Sequence, residues 1–218
     1  TPATKHCVVR DMPQGSEGSC VMGAPAAFIK LMWICTPLPT PAGLVMGEKY
    51  GWFFDMLNVT VIPNMQRIQY AARNAGVEVM YTTIESLTRD GRDRSLDYKI
   101  TGFNVPKGSW DGKVIDQILP REDEIIFPKS SSSVFVSTHI DYVLRNLGVK
   151  QLVISGLITD QCVESAVRDA CDLGYLVTQV TDACLTYSQA RHDNSINTIR
   201  GYCRQVTTEA LVAELKAD

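Results

Sequence analysis

The chain has 218 residues, 45% of them hydrophobic and 21% charged, enough for one compact domain with a sizeable core. With 21 Lys and Arg against 24 Asp and Glu, the formal charge is -3, and no basic stripe is present to neutralise phosphates, so nucleic acid is not an expected partner. The apolar stretch from Ala24 to Cys35 is broken by Lys30 and followed by Pro37, Pro39 and Pro41, too short and interrupted to span a bilayer, so no membrane partner is expected either.

Thr1 to Arg10 lack the basic start, apolar run and small-residue cleavage site of a secretory signal. Cysteines at 7, 20, 35, 162, 171, 184 and 203 form an odd set without a CxxC pair. That pattern favours reduced thiols and a cytoplasmic protein over a disulfide framework.

Residues 1 to 62 mix Gly and Pro clusters without a clean period, and we read them as an irregular segment of a single domain spanning 1–218. From Ile62 onward, helix-like and strand-like text alternates. A helix is predicted over Pro63 to Ala75, with Met65, Ile68, Ala71 and Ala72 on one face and Gly76 as its stop. Strands follow at Val77–Tyr81 and Glu124–Phe127, then a helix Ser137–Leu147 ending at Gly148 and a strand Gln151–Ile154. Helix Cys162–Leu173, strand Tyr175–Val180, helix Ala190–Arg200, strand Cys203–Thr207 and helix Glu209–Lys216 complete the alternation. Such units imply a doubly wound α/β fold with a parallel sheet between helical layers. The charged, aperiodic stretch Thr88 to Pro120 reads as a long functional loop covering the active site.

In such a sheet, ligands collect beyond the carboxyl ends of the strands, where helix N-termini point outward. Cys162 falls there, after the strand Gln151–Ile154 and the turn at Gly156. A helix start favours the thiolate, and the backbone N–H groups of Ile158 and Cys162 are placed to meet an oxyanion. Most free cysteines are simply small buried hydrophobes, a role that suits Cys171, Cys184 and Cys203 better because each lies in an apolar periodic stretch.

The span from Ile62 onward resembles the isochorismatase-like cysteine hydrolases, a superfamily that includes ureidoacrylate, biuret and carbamoylsarcosine hydrolases as well as nicotinamidases. Three stretches carry the resemblance: Val61-Ile62-Pro63-Asn64 with Ala75-Gly76-Val77-Glu78-Val79; Lys129-Ser130-Ser131-Ser132-Ser133-Val134-Phe135 with Ser137-Thr138; and Gly156 to Ser165 followed by Arg168-Asp169. It implies a three-layer α/β/α sandwich, a homo-oligomer and an Asp-Lys-Cys triad. Cys162 matches the nucleophile, Lys129 matches the lysine, and Leu157-Ile158 falls where the family often has a non-proline cis peptide.

The triad aspartate departs from the pattern. Cys7-Val8-Val9-Arg10-Asp11-Met12-Pro13-Gln14 looks like a disturbed version of the first-strand motif, which makes Asp11 the preferred carboxylate. A second alignment makes Ala26–Cys35 the first strand and puts Leu31 where the aspartate belongs. Asp55 is a third candidate, in text that the resemblance places in a helix.

No cofactor is expected. Nicotinamidase-type relatives hold zinc through an Asp and two closely spaced His residues, whereas His6, His139 and His192 are not paired at ligand spacing, so no metal site is expected. Arg92 and Trp110, with Arg94, Lys99, Glu85 and Phe103, are candidate substrate-binding residues, since Arg recognises planar oxyanions through parallel hydrogen bonds. A solvated loop is the plainer reading of the same charges.

The expected function is hydrolysis of a carbon–nitrogen bond in a small amide or ureido substrate through a thioester. Two other readings stand beside it. One is a catalytically impaired binding or interaction protein; the other is an isochorismate-type ether hydrolase, which the presence of Cys162 argues against.

Overall fold

The computed structural model describes the backbone of residues 29–34 and the whole of residues 51–216. Six strands form one parallel sheet in the order β3-β2-β1-β4-β5-β6: β1 Ile29–Ile34, β2 Val79–Ile84, β3 Ile126–Lys129, β4 Gln151–Leu157, β5 Leu176–Leu185 and β6 Arg204–Val206. The chain builds outward from β1 to β3, returns to the other side of β1 at β4 and builds outward again. The crevice at that reversal is where such sheets take ligands.

Helices cover both faces. One run comprises α1 Gly51–Met56, a π-helical turn Leu57–Val61 and α2 Ile62–Asn74. Its residues Phe53, Met65 and Ile68 join Leu211 and Leu215 of the C-terminal helix α8 (Thr208–Lys216) in one apolar core. The other core holds Ile140, Leu144, Val163 and Val167 against the opposite face. Strands β2 and β4 are buried almost along their whole length, as expected where helices cover both faces of a parallel sheet.

The strand beside β2 and β4 is Ile29–Ile34, the Ala26–Cys35 alternative of the sequence reading. Its residue Ile34 is in register with Thr82 on one side and Gly156 on the other. Asp11 lies outside the described residues. Asp55 is exposed on α1, a helix following the strand.

Several boundaries differ from expectation, each for a local reason. The predicted helix Ser137–Leu147 is two helices, α4 Val134–Ser137 and α5 Ile140–Asn146. The break comes at Thr138, whose hydroxyl donates to the Val134 carbonyl (2.7 Å) and accepts from the Ile140 amide (3.1 Å), offering the backbone an alternative to helix. Strand β5 runs past Val180 to Leu185 because the polar Asp182 within it is satisfied by its neighbours. Its carboxylate accepts from the amide and hydroxyl of Thr208 (2.7 and 2.8 Å), and its carbonyl accepts from Asn64 (2.8 Å). Strands β2 and β3 sit about two residues later than predicted. The loop between them contains a short helix, α3 Leu96–Ile100, capped by Ser95.

Between α2 and the sheet edge, Arg73 donates to both carboxylate oxygens of Glu124 (2.8 and 2.7 Å) and to the Tyr81 hydroxyl (2.9 Å), which also accepts from Gln69. Burial pushes the Glu124 carboxyl up, but the Arg73 hydrogen bonds and the Arg121 amide outweigh it and hold it below its ordinary value. Removing one partner of such a shielded pair leaves an uncompensated charge. Arg73→Ala is expected to lower unfolding free energy at neutral pH by about 3 kcal/mol. Because a depressed carboxyl contributes above its unfolded value and loses that contribution as pH falls through the folded one, the deficit should shrink below about pH 4. Urea denaturation of both proteins across pH measures this.

Candidate active site

Lys129 ends β3, and its side chain is fully buried. Its Nζ donates to the Ser131 carbonyl at 2.8 Å and to the Cys162 sulfur at 3.2 Å. Cys162 is itself 3% exposed. Burial pushes the Lys129 ammonium down from its ordinary value, while the charge and hydrogen bond of Cys162 pull it back up. The sulfur thus favours the charged form of Lys129 against the effect of burial.

The serines after Lys129 fix this geometry. Ser131 Oγ donates to the Ser133 carbonyl and is bonded to Ser137 Oγ, both at 2.9 Å. Ser133 caps α4 through the Phe135 amide and donates to the Asp169 carboxylate. Asp169 lies on α6 (Glu164–Asp172), the helix that continues from the turn bearing Cys162. The Lys129 motif and the Arg168-Asp169 motif, far apart in sequence, are thus two ends of one hydrogen-bonded clamp.

Cys162 does not open an α-helix as expected. It sits within a π-helical turn, Thr159–Val163, that runs directly into α6. Strand β4 reaches this turn through Gly156, whose φ of 126° only glycine adopts readily and where the register with β5 shifts. The Leu157–Ile158 peptide that follows is cis, as the resemblance implies. The Ile158 carbonyl accepts from the Gln161 and Val163 amides (3.1 and 3.2 Å) and tightens the turn.

Outer contacts hold the turn in place. Asp160 accepts from Thr186 and from Arg191 of α7 (Gln189–Ile199), both at 2.6 Å, and Glu164 accepts from Ser195 at 2.6 Å. Thr159 Oγ1 pairs with His192 Nδ1 at 3.0 Å.

The loop over the site is built around Asp93. Its carboxylate accepts from the Leu87 amide and from both the amide and hydroxyl of Thr88. Burial acts to raise it, but these donors win and hold it down to about 2. Arg94 is committed to the carbonyls of Gly91 (2.8 Å) and Phe103 (2.6 Å), and Glu85 accepts from the Gly108 amide (2.6 Å). Arg92 pairs with Asp90 of its own loop, its side chain 73% exposed. Trp110 starts a 3-10 turn and is more than half exposed, and Lys99 is exposed on α3. The structure joins Lys129 to Cys162; the loop's charged residues mainly hold the loop.

Sequence reasoning passed over Tyr98. It is buried on α3, its ring packed edge-on against Phe103 at 4.9 Å, in the same core cluster as Cys162. The available signal was a large aromatic three residues after a capping Ser inside an otherwise charged loop. Among the described residues no group of three or more His, Cys, Asp or Glu is placed to hold a metal ion. His139 lies edge-on to Phe127, His192 is used by Thr159, and His6 lies outside the described residues.

Residues 56–210 match the Isochorismatase domain family. The ureidoacrylate amidohydrolase RutB of Rhizobium rhizogenes is 29% identical over 176 residues, covering 68% of this chain and 72% of that protein. RutB of Agrobacterium fabrum is 28% identical over 180 residues, covering 70% and 79%. Among solved structures, a cysteine hydrolase from Pseudomonas syringae pv. phaseolicola superposes with a TM-score of 0.76 at 22% identity, covering 88% of this chain and 93% of that one. N-carbamoylsarcosine amidase from Thermoplasma acidophilum gives 0.64 at 21% identity, covering 83% and 96%. A family match over more than half of the chain, on a parallel sheet that seats Lys129 against Cys162, makes this protein a hydrolase of the isochorismatase family.

Proposed function

We propose that the protein is a cysteine-dependent hydrolase that opens a carbon–nitrogen bond of a small amide or ureido compound through a thioester. The observation that carries this reading is the Lys129 Nζ–Cys162 Sγ contact of 3.2 Å, with both residues buried. An ammonium held there favours the thiolate and the oxyanion that its attack generates. The similarity to two ureidoacrylate amidohydrolases favours a ureido substrate.

In the proposed reaction, the Cys162 thiolate attacks the carbonyl carbon, and the new oxyanion is met by Lys129 and the backbone N–H groups of Ile158 and Cys162. Collapse breaks the carbon–nitrogen bond as the leaving nitrogen takes a proton from an acidic partner, for which Asp11 is the proposed group. Water then attacks the thioester, giving a proton back to that carboxylate, and collapse releases the acid and returns the thiolate. No cofactor enters these steps. Arg92 and Trp110 belong to the reading as loop residues on the substrate side. A cytoplasmic location, supported by the free state of Cys162, Cys171, Cys184 and Cys203, and a homo-oligomeric assembly are parts of the same proposal. Among the described residues no helix is long and apolar enough to cross a membrane.

Cys162→Ala should lower turnover of a ureido substrate by at least about 1,000-fold, and mass spectrometry of wild type during turnover should find an acyl adduct on the Cys162 peptide. Turnover unchanged in the variant would remove the cysteine from the mechanism. Thiol labelling gives a second check. Burial is the main cause that pushes Cys171 up to about 11 and Cys184 and Cys203 up to about 12. Iodoacetamide near neutral pH should therefore modify Cys162 before these three, as read by peptide mapping. The pH profile has a fixed sign as well. Lys129 stays charged only below a value depressed from 10.5, so kcat/KM should fall with rising pH along a limb centred below 10.5; a limb at or above it would count against a buried lysine partner.

A further inference from the structure

Strand β3, which delivers Lys129, is four residues long, lies at the edge of the sheet and pairs with β2. The pairing ends at Lys129, whose carbonyl accepts from the Glu85 amide (3.0 Å), so the serines that follow lie beyond the sheet. Those serines set what Nζ meets, because one of its acceptors is the Ser131 carbonyl (2.8 Å). A lysine stem is flexible and costly to order, so the direction of the ammonium depends on how firmly that carbonyl is placed. Ser131 is bonded to Ser137 and to the Ser133 carbonyl, and Ser133 in turn donates its hydroxyl to the Asp169 carboxylate.

Asp169 is half-buried on α6, in the helical run that continues from the turn bearing Cys162. It comes about two turns after the thiol, so the two side chains lie near one line along that run. The segment after β3 therefore meets the run at two points, Lys129 at Cys162 and Ser133 at Asp169. We propose that Asp169 is a positioning residue for the reaction: by accepting from Ser133 it fixes the serine run, and through the Ser131 carbonyl it keeps the Lys129 ammonium on the Cys162 sulfur. A hydrogen bond from a hydroxyl to a carboxylate is among the stronger kinds, which suits an anchor placed beyond the last strand pairing. Anchor and charge act on the sulfur with opposite signs. Loss of a nearby negative charge alone favours the thiolate, whereas loss of the anchor disfavours it, because the ammonium is no longer held in place.

This rests on Cys162 being the reactive thiol with Lys129 as its partner. The rate of Cys162 alkylation by iodoacetamide, followed by peptide mass spectrometry across pH, reports the fraction of thiolate. Lys129→Met should move the midpoint of that profile upward by about two pH units, and Asp169→Ala should move it upward by about one. Ser133→Ala should move it the same way, which keeps the test open if Asp169→Ala does not fold. Asp169→Asn retains an oxygen to accept from Ser133 and should stay at or slightly below the wild-type midpoint. Adding Asp169→Ala to Lys129→Met should give no further upward shift, because the group that Asp169 positions is gone. A lower melting temperature with the midpoint of Asp169→Ala unmoved or moved downward would overturn the proposal. So would an upward shift that adds in full to that of Lys129→Met. An unmoved midpoint in Lys129→Met would remove the Lys129–Cys162 reading and this proposal with it, whereas a shift in Lys129→Met with none in Asp169→Ala would remove Asp169 alone.

Discussion

A lysine ammonium with no exposed surface is costly to bury, and in this protein the cost is met by one acceptor set: the Cys162 sulfur and the Ser131 carbonyl. Much of the surrounding structure serves that contact. The serine run after Lys129 turns the chain so that Nζ points at sulfur, and Asp169 locks the run onto the helix that follows Cys162. Gly156 lets β4 bend into the turn that carries the thiol. Because both halves of the pair come from strand ends on opposite sides of β1, the doubly wound topology itself brings them together.

Around this centre, charges are sorted by what they hold. Asp160 and Glu164 face α7 and fix the Cys162 turn from behind. Asp93, Arg94 and Glu85 are consumed in shaping the loop between β2 and β3. Much of the charged text near the site is thus scaffold, in keeping with the rule that buried polar groups find partners. At the sulfur itself stands the Lys129 ammonium.

The fold was largely legible in the amino-acid text because it depends on local periodicity. Met65, Ile68, Ala71 and Ala72 mark the buried face of α2 whatever lies beneath them, and the apolar runs of β2 and β4 match strands covered on both sides. Misplaced boundaries fell where a side chain replaces a backbone partner. Thr138 splits a helix by bonding within its own turn, and Asp182 extends a strand because Thr208, 26 residues away, satisfies it. Neither effect has a periodic signature.

By itself the sequence determined the class of fold, the nucleophile candidate and its lysine, since strand–helix alternation and short motifs are contiguous properties of a chain. Only the tertiary structure decided that Ile29–Ile34 is the strand between β2 and β4, that Arg94 is a loop brace and that Arg92 pairs within its loop, and that Tyr98 is buried in the core that holds Cys162. Each is a contact between residues distant in sequence or a choice among competing partners. Such choices depend on which groups burial leaves within hydrogen-bonding reach, and local text does not encode that reach.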